Sequence, residues 1–376
     1  MYCFHACGAI SDDLMANIAF FESITPYWVD FHNHLSDLGF EIWYMYPSIY
    51  SYDSAALVRD LRFTPHWALK PGKNTWRMGE LRRIVRECSP EIVITPEFSL
   101  LTLQLLLLRK MMHASFKVVV RTDDSIRHIK YPNSRLHGLA LKAMSSHVDN
   151  FILCDSRTAD WFRDRYGAGI FLPILSDEAR WGEALGAASD VADGLKSELS
   201  VGDRCMLTYV GRLSDEKNIP LIFRALEKVR VPEKYVLAIV GDGPLKESVA
   251  SMAEQCPVRT VLLGRRSGND LYAVYRIADV LILPSTREPF GAVTGEALES
   301  GCLALVSSYA GSSCLVEDGV NGMTFSPEDE DALAGCIEWA CGHRPEGNFP
   351  RPSRLLRPYN EYLEELDRYI YANRLQ

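Results

Sequence analysis

The chain of 376 residues has no apolar run long enough to cross a bilayer. Its longest, LLTLQLLLL, is about nine residues against the roughly 20 a spanning helix needs, so it reads as a core helix and not an anchor. Positive charge is also scarce: 40 Lys plus Arg against 49 Asp plus Glu leave a net charge of -9, which argues against nucleic acid as the main partner. The ten cysteines show neither pairing nor metal-like spacing, which suits a reducing cytoplasm where most are small buried apolar residues. Cys3 and Cys7 flank His5, but three ligands at a terminus make a poor zinc site, so no metal is expected. Residues 1–14 have no basic start followed by an apolar segment and are expected to be an extension rather than a signal peptide.

What is present is an ordinary globular composition, 47% hydrophobic and 24% charged, in a chain long enough for two domains. Residues 1–180 hold 20 basic and 20 acidic residues; the remainder holds 40 − 20 = 20 and 49 − 20 = 29, and so carries the whole excess. Arg77, Arg82, Arg83 and Arg86 sit at helical spacing, and Arg109 and Lys110 follow the leucine run. A solvated helix face is the favoured reading of these cations, with peripheral membrane contact through the first half as the other.

Strand-like runs alternate with helical patterns throughout. NIAFFES, EIWYMYP, EIVITPE, KVVVRTD and NFILCDS are continuously apolar, as strands covered by helices on both faces are. CMLTYVGR, YVLAIVGDGP, VRTVLLG, DVLILPS, LALVSS and GMTFS form a second series. The expected fold class is therefore α/β, with two doubly wound parallel-sheet domains facing across a cleft. The expected division is an acceptor-side domain over 15–180, a linking segment over 181–202, where periodicity fades, a donor-binding domain over 203–355, and a final helix over 356–376 that packs on the first domain.

Ligands of such sheets bind beyond the carboxyl ends of the strands. In VGRLSDEKN, Arg212 leaves a strand just after Gly211, and Lys217 follows near a helix start; two converging cations suit a diphosphate, although two surface cations are an equal alternative. In VGDGP, the Gly241-Asp242-Gly243 turn lets backbone approach a flat or anionic ligand. At LLGRR, the backbone of Gly264 and Arg265 is placed to meet a nucleobase edge. REPFGAVTGE puts Glu288 and Glu296 on either side of the amides of Phe290, Gly291 and Ala292, where an anion gains from a helix start and carboxylates accept from vicinal hydroxyls.

Together with ADVLILPS and GSSCLVEDGVNGMTF, these loops resemble the donor half of the large retaining GT-B glycosyltransferase family often called family 4, whose signature is two glutamates separated by seven residues. The resemblance covers about residues 205–330 and continues more weakly into the first half. It implies a metal-independent enzyme with no cofactor, the nucleotide sugar being a substrate. Arg212 and Lys217 would neutralise the donor diphosphate, Glu296 would bind ribose hydroxyls, and Glu288 with the Phe290 and Gly291 amides would hold the transferred sugar. Two departures stand out. The loop Glu22 to Tyr27 lacks the glycine pair of many relatives, and where many place a histidine after the strand that corresponds to KVVVRTDDS, this chain offers Arg121, Asp123 and Asp124. Asp124 either bonds a sugar hydroxyl or caps the next turn. His128 reads as a distant, solvated residue.

The expected function is a cytoplasmic hexosyltransferase, UDP-linked in preference to GDP-linked, at work in surface polysaccharide or glycoconjugate assembly. Its partners would be the nucleotide-sugar donor and a carbohydrate or lipid-linked acceptor. The other reading is a catalytically silent nucleotide-sugar-binding module.

Overall fold

The structure, a computed structural model, describes residues 16–46, 58–68, 76–130, 135–344 and 351–374. The expected extension over 1–14 lies outside them.

Two sheets carry the fold. The first contains β1 (Asn17–Phe21), β2 (Phe40–Tyr44), β3 (His66–Trp67), β4 (Ile92–Pro96), β5 (Lys117–Thr122), β6 (Asn150–Leu153) and β7 (Ile170–Phe171), in the order β3-β2-β1-β4-β5-β6-β7. The second contains β8 (Cys205–Val210), β9 (Tyr235–Val240), β10 (Arg259–Gly264), β11 (Val280–Leu283), β12 (Leu303–Ser307) and β13 (Gly322–Phe325), in the order β10-β9-β8-β11-β12-β13. The pairs β1–β2, β1–β4, β8–β9, β8–β11 and β11–β12 are all parallel.

The expected burial on both faces holds at the centre of the second sheet, where β8, β9, β11 and β12 are buried along their whole length. Alternate residues feed opposite cores. Cys205, Leu207 and Tyr209 join Ile239, Leu305 and Ile337 on one face, while Met206 and Val210 join Ala238, Leu281 and Tyr275 on the other. Because that sheet grows from β8 to β10 in one direction and from β11 to β13 in the other, the loops leaving β8 and β11 diverge at their shared edge. Such a reversal opens a crevice at the strand ends without any special side chain.

By contacts the chain groups into two units, residues 1–121 with 140–150 and 369–376, and residues 122–139 with 151–368. Within the first unit, Pro26 opens a short 3-10 turn, Pro26–Trp28, that runs into the helix Val29–Asp37. The helix Leu100–Met112 is capped at its start by Ser99, whose hydroxyl accepts from the Thr102 amide at 3.3 Å, and ends at His113 in the left-handed region, φ 50°. It is only half a core helix: Leu101, Leu105 and Leu108 are buried, whereas Leu103 and Leu107 are not.

The segment 181–202, expected to link the two domains, is packed. Most of it, up to residue 198, lies in two helices, Glu178–Ala187 and Ser189–Glu198, the first capped by Asp177, and Trp181, Leu185, Ala188, Ala192, Leu195 and Leu199 all enter the core around Tyr275. Those positions alternate four and three apart, a helical stripe that alanine and glycine at the intervening positions disguise. Trp181 donates from Nε1 to Ser300 Oγ at 3.0 Å and meets Tyr272 edge-on. The last helix, Tyr359–Arg374, starts with its Tyr359 amide bonded to Glu178 at 2.7 Å and seats Tyr362 against Phe171.

Trp181→Ala should therefore cost about 3–5 kcal/mol in urea unfolding, as large-to-small core changes do. A change within about 0.5 kcal/mol, typical of an exposed link, would contradict this packing.

Candidate active site

Every residue of this site belongs to the second unit. Its frame is backbone. The Gly211 amide donates to the Val240 carbonyl at 3.0 Å, the Gly241 amide to the Gly264 carbonyl at 2.9 Å, and the Leu213 amide to the Asp242 carbonyl at 3.0 Å. The three strand-end turns expected to touch a nucleotide are thus laced to one another. A Cβ at Gly241 would lie 1.8 Å from the Gly211 carbonyl oxygen, so glycine there is explained by the neighbouring turn, before any ligand is considered. Asp242 accepts from the Gly243 amide at 2.9 Å, and Arg265 is exposed.

Glu216 joins the loops after β8 and β11. Its carbonyl accepts from the Thr286 amide at 2.9 Å, and its carboxylate accepts from Ser214 Oγ at 2.6 Å. That hydrogen bond, helped by the charges of Lys217 and Arg212, holds the Glu216 pKa below its ordinary value. Asn218, left-handed at φ 51°, ties the same loop down by donating to the carbonyls of Pro284 at 3.2 Å and Pro327 at 2.9 Å.

This splice places Lys217 and Glu288 in contact. Lys217 Nζ is ion-paired with Glu288 Oε2, which also accepts from Ser285 Oγ at 3.3 Å. The sequence reading gave these two side chains separate partners; the structure pairs them with each other. The Glu288 side chain is only 9% exposed and that of Lys217 21%, so the pair is largely out of water. Removing either partner would strand the other charge.

Gly291, at φ 96°, turns the chain between Glu288 and the helix Val293–Glu299. A Cβ there would meet Leu283 at 2.7 Å and the Glu288 stem at 3.1 Å, so the small residue both makes the turn and lets Glu288 fold back. Phe290 is buried and its carbonyl accepts from the Ser312 amide at 2.8 Å. The Ala292 carbonyl accepts from the Glu296 amide at 3.1 Å, which sets Glu296 one turn inside. Its carboxylate accepts from Tyr275 Oη at 2.5 Å. Burial raises the Glu296 pKa and the tyrosine bond opposes that rise. Glu296 is thus a carboxylate held partly dehydrated with acceptor capacity to spare.

His128 is the correction. It is buried, 8% exposed, on the short helix Ile126–Lys130, with Nδ1 at 2.9 Å from Ser125 Oγ and Nε2 accepting from Arg287 Nε at 3.3 Å. Asp155 secures that helix start, its carboxylate accepting from the Ile126 amide at 3.3 Å and from Thr158 Oγ1 at 2.8 Å. Burial lowers the His128 pKa, with the Arg287 charge adding to the effect while Asp124 and Glu288 oppose it. Arg127 stacks over the Tyr309 ring at 3.6 Å, and Arg157 donates to the Ala310 carbonyl at 3.2 Å and to Ser313 Oγ at 3.0 Å. Of the other residues offered for the missing histidine, Arg121 is buried in the first unit, 4.1 Å above the Trp28 ring, and the Asp123 carbonyl accepts from Cys154 Sγ at 3.1 Å.

The sequence reading missed Arg287, Tyr275 and Tyr309 and undervalued His128. A signal for His128 was present: it lies three residues beyond Ser125, a spacing that pairs the two on one helical turn. Nothing in the chain marked Tyr275, whose hydroxyl meets Glu296 from a helix 21 residues away.

Residues 194–346 match the family model described as Glycosyl transferases group 1. An uncharacterized glycosyltransferase of Methanocaldococcus jannaschii is 35% identical over 138 residues, 36% of this chain and 35% of that protein. The lipopolysaccharide 1,2-N-acetylglucosaminetransferase of Salmonella typhimurium is 29% identical over 177 residues, 44% of this chain and 46% of that protein. The chain thus spans between a third and a half of these relatives. Among solved structures, Anabaena HepE in complex with UDP superposes with a TM-score of 0.69 over 95% of this chain and 100% of its own, at 15% identity. A lipopolysaccharide outer core galactosyltransferase gives 0.67 over 95% and 99%, at 17% identity. The fold is GT-B, and its second sheet lies in the stretch that matches the group 1 glycosyl transferases.

Folded His128 resists a proton that the unfolded chain accepts near pH 6.5, so stability should fall as pH drops below that value. Buried His32, also lowered, acts in the same direction, and the difference between wild type and His128→Gln in urea unfolding isolates the His128 share. Equal pH slopes in the two proteins would contradict a buried neutral imidazole. Glu296→Gln should leave the thermal midpoint unchanged or raised, because a dehydrated charge is removed; a clearly lowered midpoint would contradict the burial that raises its pKa.

Proposed function

We propose that the protein is a retaining glycosyltransferase that moves a hexosyl group from a nucleoside diphosphate sugar, UDP-linked in preference to GDP-linked, to a carbohydrate or lipid-linked acceptor. The observation that carries this reading is the largely buried Lys217–Glu288 pair at the reversal between β8 and β11, with Glu296 in the first turn of the helix Val293–Glu299. It is supported by the family match over 194–346 and by relatives named as sugar transferases.

In this reading the donor diphosphate lies against Arg212, Lys217 and the amides of Phe290, Gly291 and Ala292, at the start of the helix Val293–Glu299. Lys217 then divides its charge between phosphate and Glu288. Glu288, relieved of part of its ion pair, accepts from the transferred sugar's hydroxyls, and Glu296 accepts from the ribose. As the bond from the anomeric carbon to the phosphate oxygen breaks, negative charge grows on the diphosphate, where both cations stand ready. The acceptor oxygen bonds to the same face of that carbon and gives its proton to a phosphate oxygen, so configuration is retained without a protein base. Neither a metal nor a cofactor has a step in this scheme.

His128 and Arg287 beside Glu288 favour catalysis over a silent binding module, since a bound nucleotide alone needs no second layer of groups around the sugar position. A cytoplasmic setting and a role in surface polysaccharide or glycoconjugate assembly complete the reading. The first sheet is assigned to the acceptor and the second to the donor.

Glu288→Gln should keep UDP affinity within about threefold and cut transfer by about 100-fold or more, the scale of losing one transition-state contact. Lys217→Ala should weaken both UDP binding and turnover. Unchanged turnover in both variants would remove the site from the reaction. In a thermal-shift series UDP and its sugars should raise the midpoint more than their GDP counterparts, and the reverse order would overturn the UDP assignment.

A further inference from the structure

The helix Leu100–Met112 is apolar on two faces. Leu101, Leu105 and Leu108 enter the core of the first unit with Leu81, Ile84 and Val118. On the opposite side Leu100, Leu103, Leu107 and Met111 are 54%, 41%, 48% and 69% exposed. At 3.6 residues per turn those four positions fall within roughly 80° of arc, so they form one stripe rather than scattered surface residues. A helix apolar all round is expected where water is absent on every side, and contiguous exposed apolar surface marks an interaction site.

A second observation names the partner. At the end of the same helix, a pocket of about 430 Å³ is lined by Leu106, Arg109, Lys110, His113, Ala114 and His147, with no acidic lining residue. Arg109 is held in place, donating to Asp149 at 2.5 Å and to the carbonyls of Phe116 and His147 at 3.2 and 2.7 Å. Lys110 and His113 are exposed at the same helix end. The adjoining helix Met78–Cys88 exposes Arg82, Arg83 and Arg86, of which Arg83 pairs with Glu87 at 2.7 Å.

From this juxtaposition, we propose that the Leu100–Met112 face docks on an anionic lipid bilayer. The stripe enters the headgroup and acyl boundary, and Lys110 with the two histidines meets lipid phosphates. This is the arrangement of an interfacial helix, apolar on one side and basic beside it. A second copy of the chain fits less well, because four partly exposed side chains fall far short of the roughly 800 Å² per partner of a stable interface. The proposal stands independently of the donor site, and its test reads no catalysis.

The full chain would be sedimented with vesicles rich in phosphatidylglycerol and with vesicles of phosphatidylcholine alone, at low and high salt. A triple variant, Leu103→Gln, Leu107→Gln and Met111→Gln, and a separate Lys110→Glu variant would be run beside it. Expected are binding to the anionic vesicles that weakens with salt, a loss of about tenfold or more in the triple variant, and a smaller loss in Lys110→Glu. Unchanged circular dichroism and thermal midpoint would show that the exposed substitutions leave the fold intact; Lys110→Glu alone would supply the comparison if the triple variant unfolds. No binding by wild type, equal binding to both vesicles, or equal binding by Lys110→Glu would overturn the proposal. So would a wild-type dimer in light scattering that the triple variant abolishes without vesicle binding, or thermal stabilisation by inorganic phosphate alone in the absence of vesicle binding.

Discussion

The candidate site depends first on a hydrogen bond to the carbonyl of Glu216, which takes the Thr286 amide at 2.9 Å and, with the Asn218 bond to the Pro284 carbonyl at 3.2 Å, sews the loop after β8 to the loop after β11. Sheet order alone would let these loops diverge. With that bond in place, the cation of one loop reaches the carboxylate of the other, and Lys217 and Glu288 close a largely buried pair. A buried pair of this kind contributes little net stability because both ions have left water. What it does supply is two charges of opposite sign, already desolvated and positioned, beside a helix start.

A group that works in the dark of the protein has to be supported, and the support is unevenly spread. Glu288 has Lys217 and Ser285, whereas Glu296 has the Tyr275 hydroxyl against a burial that raises its pKa. His128 is kept neutral by burial and by Arg287, with Asp155 fixing the short helix that carries it. Chains of such contacts hold each side chain through another one. They make the site rigid, and they make single substitutions propagate.

Much of the fold was legible before any coordinates. Short apolar runs rich in β-branched residues, such as YVLAIV and VLIL, read as strands covered on both sides, and their alternation with helices leaves few topologies. The twenty residues before β8 were harder to read. Trp181, Leu185, Ala188 and Ala192 keep a helical period, yet alanine and glycine weaken its contrast with the polar positions. The leucine run misled in the opposite direction: its composition says buried, while Leu100, Leu103 and Leu107 are exposed along one stripe.

The order of residues along the chain by itself determined the glycines, the paired glutamates and the cations at the ends of strands, because those features depend on local backbone freedom and on spacing within one turn. It could not determine who meets whom. Lys217 with Glu288, 71 positions apart, and His128 with Arg287, 159 apart, are contacts made only when separate strands enter one sheet and their loops fold over a common edge. Burial, and with it the protonation of His128 and Glu296, is likewise a property of the assembled core, since dehydration depends on everything that surrounds a group and not on its neighbours in sequence.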